Sequence, residues 1–195
     1  MIIKNMSAWQ FVFALLALFT MKKEITLVLG GVRSGKSAFA ENLALKYSEC
    51  PTYLATSEIY DAEMQERISV HKNRRKENWQ LIEEPINMAD AIMGNGHKAI
   101  GNIVLVDCLT IWLANLLQYG LDINAEINKL LICLEKADKN IILVANEVGL
   151  GGIAENALAR KFADIQGKLN QEIAKIADNV VFVAAGLPMV MKGKI

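Results

Sequence analysis

The sequence predicts an α/β fold, a mainly parallel sheet flanked by helices, and three observations predict it. Five apolar runs, Ile25–Leu29, Thr52–Ala55, Ile103–Val106, Ile141–Ala145 and Val180–Ala184, are rich in β-branched residues and lack clean polar alternation. Strands covered on both faces read this way, and parallel strands are covered on both faces. Helical periodicity separates the runs, and strand alternating with helix is the pattern of a parallel sheet. A glycine-rich loop joins the first run to the first helical segment.

Residues 1–20 precede these elements as an apolar N-terminal extension with one lysine and an apolar run from Trp9 to Phe19. The run is shorter than the roughly 20 residues a membrane span needs. It is similar to a signal-peptide core, but no small-x-small cleavage site follows it. Met21 then opens "MKKEITLVLGG", a natural start for a first strand. Two readings of the extension stand open: a start assigned too far upstream, or a weak membrane-associating segment. Residues 21–195 are expected to form a single catalytic domain, since no repeat, low-complexity tract or linker interrupts them. The expected location is cytoplasmic, with membrane association only through residues 1–20.

The helices follow from spacing. After the loop, Ala38–Tyr47 is amphipathic. Between the third and fourth runs, Ile123, Ile127, Leu130, Leu131 and Leu134 recur at helical intervals. In Glu155–Ala177 the apolar positions are Leu158, Phe162, Ile165, Leu169, Ile173 and Ile176, while Arg160, Asp164 and Lys168 share another face. Lys plus Arg and Asp plus Glu number 21 each, so no basic excess argues for a nucleic-acid partner. Cys50, Cys108 and Cys133 are far apart and form no CxxC pair. They read as buried free thiols in a reducing compartment, not as a metal or disulfide framework.

The loop Gly30-Gly31-Val32-Arg33-Ser34-Gly35-Lys36-Ser37 fits G-x-x-x-x-G-K-S and lies between a strand and a helix, the context that motif requires. The fold is therefore expected to be P-loop NTPase-like. Glycines let successive backbone N–H groups turn inward, and the helix N-terminus adds positive potential. Lys36 reaches the β/γ-phosphates and the Ser37 hydroxyl can ligate Mg²⁺. Asp107, closing "IVLVD", stands where the loop's usual partner, a Mg²⁺-directed carboxylate at the end of a neighbouring strand, is expected; its plainer reading is a helix N-cap. "GLGGIA", Gly149 to Ala154, formally matches a dinucleotide fingerprint, but the acidic candidate Asp178 precedes its strand, and that reading is rejected.

A second stretch, "DAEMQERISVHKNRRKENWQLIEEP", carries Arg67, His71 and Arg74 at i, i+4 and i+7, on one helical face. Flanking arginines would hold the imidazole neutral and nucleophilic and would bind phosphate oxygens. A neutral histidine beside a triphosphate can attack it to form a phosphoramidate. The bland alternative is a lone surface or core histidine. His97, in the glycine-rich turn "GNGHK", reads as surface.

In their order, "GGVRSGKSAFAE", "YLATSEIYDAEMQERISVHKNRR", Trp79, "IEEP", "VLVDCLTIWLANLL", "NEVGLGGIAENALARKFADIQGKLNQ" and "AAGLPMVMK" resemble the bifunctional adenosylcobinamide kinase/adenosylcobinamide-phosphate guanylyltransferase family of cobalamin biosynthesis. The resemblance runs from about Ile25 to Lys192. It implies phosphorylation of adenosylcobinamide by ATP or GTP. It then implies guanylylation of a histidine by GTP and transfer of GMP to adenosylcobinamide phosphate, giving adenosylcobinamide-GDP. The family's guanylylated histidine falls on His71. Its nucleotide contacts fall on Gly30, Gly31, Val32, Arg33, Ser34, Gly35, Lys36 and Ser37, and on Ala55, Thr56 and Ser57. Lys72, Asn73, Arg74, Arg75, Glu83 and Asp107 complete the set. Mg²⁺ held by Ser37 and Asp107, and a homo-oligomer, a trimer, whose neighbouring subunit completes the corrinoid site, belong to the same implication. Arg75-Lys76 stands where the family commonly has Arg-Pro, and Gly152-Ile153-Ala154 where it often has Ile-Val-Pro; neither change removes a reactive group.

Asp107 and Glu147 are the candidates for the base of the kinase step. "NEVGLGG" also reads simply as a capped turn between strand and helix. Two other functions fit parts of the sequence. One is a generic P-loop kinase of a small metabolite, with His71 only a ligand to a phosphate. The other is a nucleotide-binding switch anchored by residues 1–20, against which the lack of recognisable switch regions counts.

Overall fold

The computed structural model describes residues 23–58, 78–95 and 101–195. Their strands are β1 (Ile25–Gly30), β2 (Thr52–Ala55), β3 (Gln80–Glu83), β4 (Ile103–Asp107), β5 (Asn140–Asn146), β6 (Asn179–Ala184) and β7 (Leu187–Lys192). The helices are α1 (Lys36–Tyr47), α2 (Met88–Met93), α3 (Leu109–Gln118), α4 (Ile123–Lys136) and α5 (Ala157–Ile176). One seven-stranded sheet runs in the order β3-β2-β4-β5-β1-β6-β7. All neighbours are parallel except β6 and β7. Among the described residues no helix is long and apolar enough to cross a membrane.

All five predicted runs are strands, and the missing alternation has its expected cause. In β1, Leu27 and Leu29 face one core cluster while Val28 faces the other; in β5, Leu143 and Val144 divide the same way. Both pleat faces are buried, so both must be apolar. On one side Ala40, Leu43 and Ala44 of α1 cover the sheet. On the other side α2, α3, α4 and α5 contribute Ile92, Trp112, Leu130 and Ile173, each fully or almost fully buried. Trp112 satisfies its one polar atom by donating Nε1–H to the Ile86 carbonyl at 2.8 Å. Two helix starts carry side-chain caps: Asp122 accepts from Ala125 N at 3.1 Å and Asn156 from Ala159 N at 2.6 Å.

Two strands escaped the sequence reading, both at sheet edges. β3 is only QLIE, too short to show a run. β7 contains Pro188, which a central strand would not tolerate; as an antiparallel edge it does. β6 and β7 are joined by Ala185 and Gly186, with φ of 51° and 79°, a two-residue turn of the primed kind that matches strand twist.

The apolar stripe of α5 does not face the core along its whole length. Only its second half does: Leu169 and Ile173 are buried, whereas Leu158 is exposed. The first half outruns the sheet. Asp178, rejected above as a ribose ligand, accepts a hydrogen bond from Ile25 N at 3.0 Å and ties the end of α5 to the start of β1.

All three cysteines are free, but only Cys108 and Cys133 are buried; Cys50 is exposed. Burial is the main cause that pushes the thiols of Cys108 and Cys133 up to about 11 each. A thiol-exchange reagent at neutral pH should therefore modify one thiol of the native protein rapidly and three after denaturation; two fast native thiols would contradict this packing.

Candidate active site

The parallel strands end in register, and that brings the predicted residues together. Ala55 pairs with Glu83 on one side and Asp107 on the other, Asp107 pairs with Val144, and Gly30 pairs with Asn146. Gly30–Ser37, Ala55–Ser57, Glu83 and Asp107 thus meet at the carboxyl edge of one sheet, where open α/β sheets bind ligands. His71, Lys72, Asn73, Arg74 and Arg75 lie outside the described residues, as do residues 1–20 and His97.

The loop leaves β1 at Gly30, a position with no room for a side chain. A Cβ there would lie 2.5 Å from both Ser34 Oγ and Val183 O. Arg33 and Gly35 have positive φ, 56° and 94°, with Ser34 between them not in that region. Alternation of this kind turns successive N–H groups toward a common concavity. Ser34 N donates to Gly31 O at 3.2 Å and Ser34 O accepts from Gly186 N at 2.8 Å, so the β6–β7 turn braces the loop from outside. Ser34 Oγ is buried without a hydrogen-bond partner. Lys36 folds back, its Nζ donating to Gly31 O at 3.2 Å. Burial holds this ammonium below its ordinary 10.5, with Cys108 and then Asp107 pulling it back up. An orphaned hydroxyl and a half-desolvated cation inside a ring of N–H groups make a cradle for phosphate.

Asp107 is not a helix cap. α3 begins after Cys108 without a side-chain cap, and the Asp107 carboxylate accepts from Tyr53 OH at 3.0 Å. Tyr53 is itself fixed edge-on to Trp79, ring centroids 5.9 Å apart. Sequence reasoning missed Tyr53; its place inside "YLATSE" is the one signal. The Thr56 hydroxyl donates to Cys108 O at 2.8 Å and accepts from Cys108 N at 2.9 Å. Asn115 Nδ2 donates to Thr56 O at 2.8 Å and to Pro85 O at 3.1 Å. One buried amide of α3 thus joins the segments after β2 and β3. Glu147 accepts from Gly149 N at 2.8 Å, as a capped turn would, while its own N donates to Gly30 O at 3.1 Å.

Among the described residues no group of three or more His, Cys, Asp or Glu side chains is assembled to hold a metal. A hydroxyl and a carboxylate at this edge, Ser37 and Asp107, do fit Mg²⁺. That ion takes one or two protein oxygens and completes its shell with water and substrate phosphates.

The sequence pattern of the family described as "Cobinamide kinase / cobinamide phosphate guanyltransferase" matches residues 26–191. The chain belongs to this family. It is 42% identical over 170 residues to the bifunctional adenosylcobalamin biosynthesis protein CobP of Pseudomonas aeruginosa, covering 86% of this chain and 97% of that protein. With the bifunctional adenosylcobalamin biosynthesis protein CobU of Escherichia coli it shares 38% identity, covering 85% and 98%. A solved structure from Pyrococcus horikoshii OT3, Project ID PH0250, superposes with a TM-score of 0.50 over 92% of each chain at 8% identity, a likeness of fold. The chain is accordingly an enzyme, a cobinamide kinase and cobinamide phosphate guanyltransferase of the P-loop α/β class.

Gly30 and Gly31 offer a paired test of the loop. Gly30→Ala should destabilise the protein by about 1–3 kcal/mol in urea denaturation, because the new methyl meets a backbone carbonyl. Gly31→Ala, where nothing lies within 4 Å, should change stability by less than about 0.5 kcal/mol. Equal effects would overturn the close packing described here.

Proposed function

We propose that one triphosphate site at this edge serves two successive transfers to a corrinoid. The observation that carries the reading is the meeting of the Gly30–Ser37 cradle with Asp107 at the carboxyl edge, in a chain of this family. In the first transfer the terminal hydroxyl of adenosylcobinamide attacks the γ-phosphorus of ATP or GTP. The bond to the β-bridging oxygen breaks and the nucleoside diphosphate leaves. Lys36 and the loop N–H groups offset charge on the phosphates, and Ser37 and Asp107 would hold Mg²⁺, which supplies Lewis-acid neutralisation there. Asp107 or Glu147 takes the hydroxyl proton.

In the second transfer the neutral imidazole of His71 attacks the α-phosphorus of GTP, and pyrophosphate leaves. A phosphate oxygen of adenosylcobinamide phosphate then attacks the phosphorus of the guanylyl-histidine. The P–N bond breaks, adenosylcobinamide-GDP forms and His71 is restored. Two attacks replace one direct approach of anion to anion, which is what a covalent route is for. Lys72, Asn73, Arg74 and Arg75 follow His71 in sequence; the two arginines and the lysine supply positive charge for the same phosphates, and the neutral Asn73 amide can donate to them. Ala55, Thr56, Ser57 and Glu83 complete the nucleotide contacts; Thr56, with its hydroxyl committed to Cys108, acts by setting the position of Asp107. A homo-oligomer, a trimer, belongs to the same proposal. The exposed Leu187, Met189 and Met191 of β7 supply apolar surface for it.

Incubation with α-labelled GTP and Mg²⁺ should leave label on the denatured protein. The label should be lost in acid, stable in alkali and absent in His71→Ala. Unlabelled wild-type protein would leave a kinase without a covalent step. A second expectation comes from Lys36. An arriving polyphosphate favours the charged ammonium that burial disfavours in the free protein, so binding takes up a proton. GTP affinity should fall as pH rises through the alkaline range below the ordinary 10.5. Lys36→Arg, charged throughout, should flatten that slope; an unchanged slope would show that Lys36 is not the titrating group.

A further inference from the structure

We propose that the corrinoid docks in the cavity between α3, the loop joining β5 to α5, and the first half of α5. The proposal rests on the function given above, which supplies the corrinoid as acceptor. The cavity, a cleft open to solvent, has a volume of about 940 Å³, near the upper end of small-molecule sites, and exceeds what the arm of a small alcohol requires.

Its position follows from α5. Asn170 Nδ2 donates to the carbonyl of Asn146, the last residue of β5, at 3.3 Å. Residue 170 is therefore level with the carboxyl edge, and residues 157–169 rise about 20 Å beyond it at 1.5 Å per residue. The anchor is a buried polar seam: Gln166 Nε2 donates to Asn170 Oδ1 at 2.9 Å. On the opposite wall α3 is pinned to the same edge, its Thr110 hydroxyl accepting from Asn146 N at 2.8 Å. The connecting loop begins at Glu147, whose N donates to Gly30 O. The cavity and the phosphate cradle thus share one edge and one hydrogen-bonded boundary. α1 packs against the sheet face opposite to α3 and α5, so an acceptor in the cavity would approach the cradle from the side away from α1.

The lining suits a flat macrocycle with apolar faces and a fringe of amides. Leu117, Val148, Ile153, Leu158 and Phe162 supply apolar wall, and Gln118 and Asp164 supply polar groups able to pair with amides. Ile153 and Leu158 are 91% and 67% exposed, apolar surface that a bound ligand would cover. The wall is preformed: Arg160 Nη1 donates to Ala154 O at 2.8 Å and also to Glu155 O, holding the loop onto α5. Its guanidinium is thus a brace for the cavity.

The test is the double variant Ile153→Ser/Leu158→Ser, chosen because both side chains are exposed and their loss opens no cavity in the core. Adenosylcobinamide binding, followed by equilibrium dialysis of the coloured corrinoid, should weaken by about tenfold or more. The rate of self-guanylylation from α-labelled GTP, which needs no acceptor, should stay at the wild-type level, and so should the molecular mass in solution. Ile132→Ser, an exposed apolar residue of α4 away from the cavity, should leave corrinoid binding unchanged. Unaltered corrinoid binding in the double variant would overturn the proposal. So would a fall in molecular mass, which would make this wall a subunit interface instead. Failure of the wild-type protein to label while still binding corrinoid would remove the covalent mechanism and leave the docking site standing.

Discussion

The rest of the structure depends on a close approach of backbone at Gly30. β1 must end, the chain must turn back over the end of β6, and α1 must start within a few residues. That geometry leaves 2.5 Å between a would-be Cβ and both Ser34 Oγ and Val183 O. The same tightness recurs at Gly35, whose own Cβ position lies 3.0 Å from Gly186 Cα. Two glycines of the loop and one of the β6–β7 turn are therefore a single packing unit. The hairpin is part of the phosphate cradle's mechanical support, although it contributes nothing to the sheet's parallel core.

Around that unit the carboxyl edge is held by side-chain hydrogen bonds to backbone, where strands give out and no ladder remains. Thr56 closes a ring with Cys108, Asn115 spans two strand ends, and Tyr53 holds the Asp107 carboxylate. Each of these groups is buried or half-buried, so an unmade bond would carry a full desolvation cost. The arrangement fixes Asp107 before any ligand arrives. Preorganisation of this kind lets fixed charges act on a phosphate without rearranging during the reaction.

What was legible in the sequence was whatever repeats or whatever chemistry forces. The five buried strands declared themselves by apolar runs, and the loop by the spacing of Gly30 and Gly35, each of which answers to a steric demand. Asp107 was legible as the polar end of an apolar strand. Edge strands were not: β3 has four residues and β7 is exposed throughout, so neither carries the apolar signature that burial imposes. Tyr53, Thr56 and Asn115 act through partners more than fifty residues away, or thirty in the case of Pro85, and no local pattern encodes such pairs. The stripe on α5 was legible as apolar, but not which half of it the core covers. Periodicity reports that a face is apolar, not what covers it.

That last difference bears on how the enzyme divides its work. A helix that only had to close the sheet could stop near Asn170, whose side chain bonds the carbonyl of the last residue of β5. Past that point Leu158 of α5 and Ile153 of the loop before it stand in water, at a cost no packing within the described residues offsets. The extension becomes intelligible if a large, flat substrate covers it during turnover. The phosphate cradle, built of loop backbone, the Ser34 hydroxyl and the Lys36 ammonium, offers groups suited to any triphosphate and none that would distinguish one acceptor from another. On the docking proposal, selection of the acceptor falls to another part of the same edge, and the wall formed by α5 and the loop before it offers the apolar surface for that role.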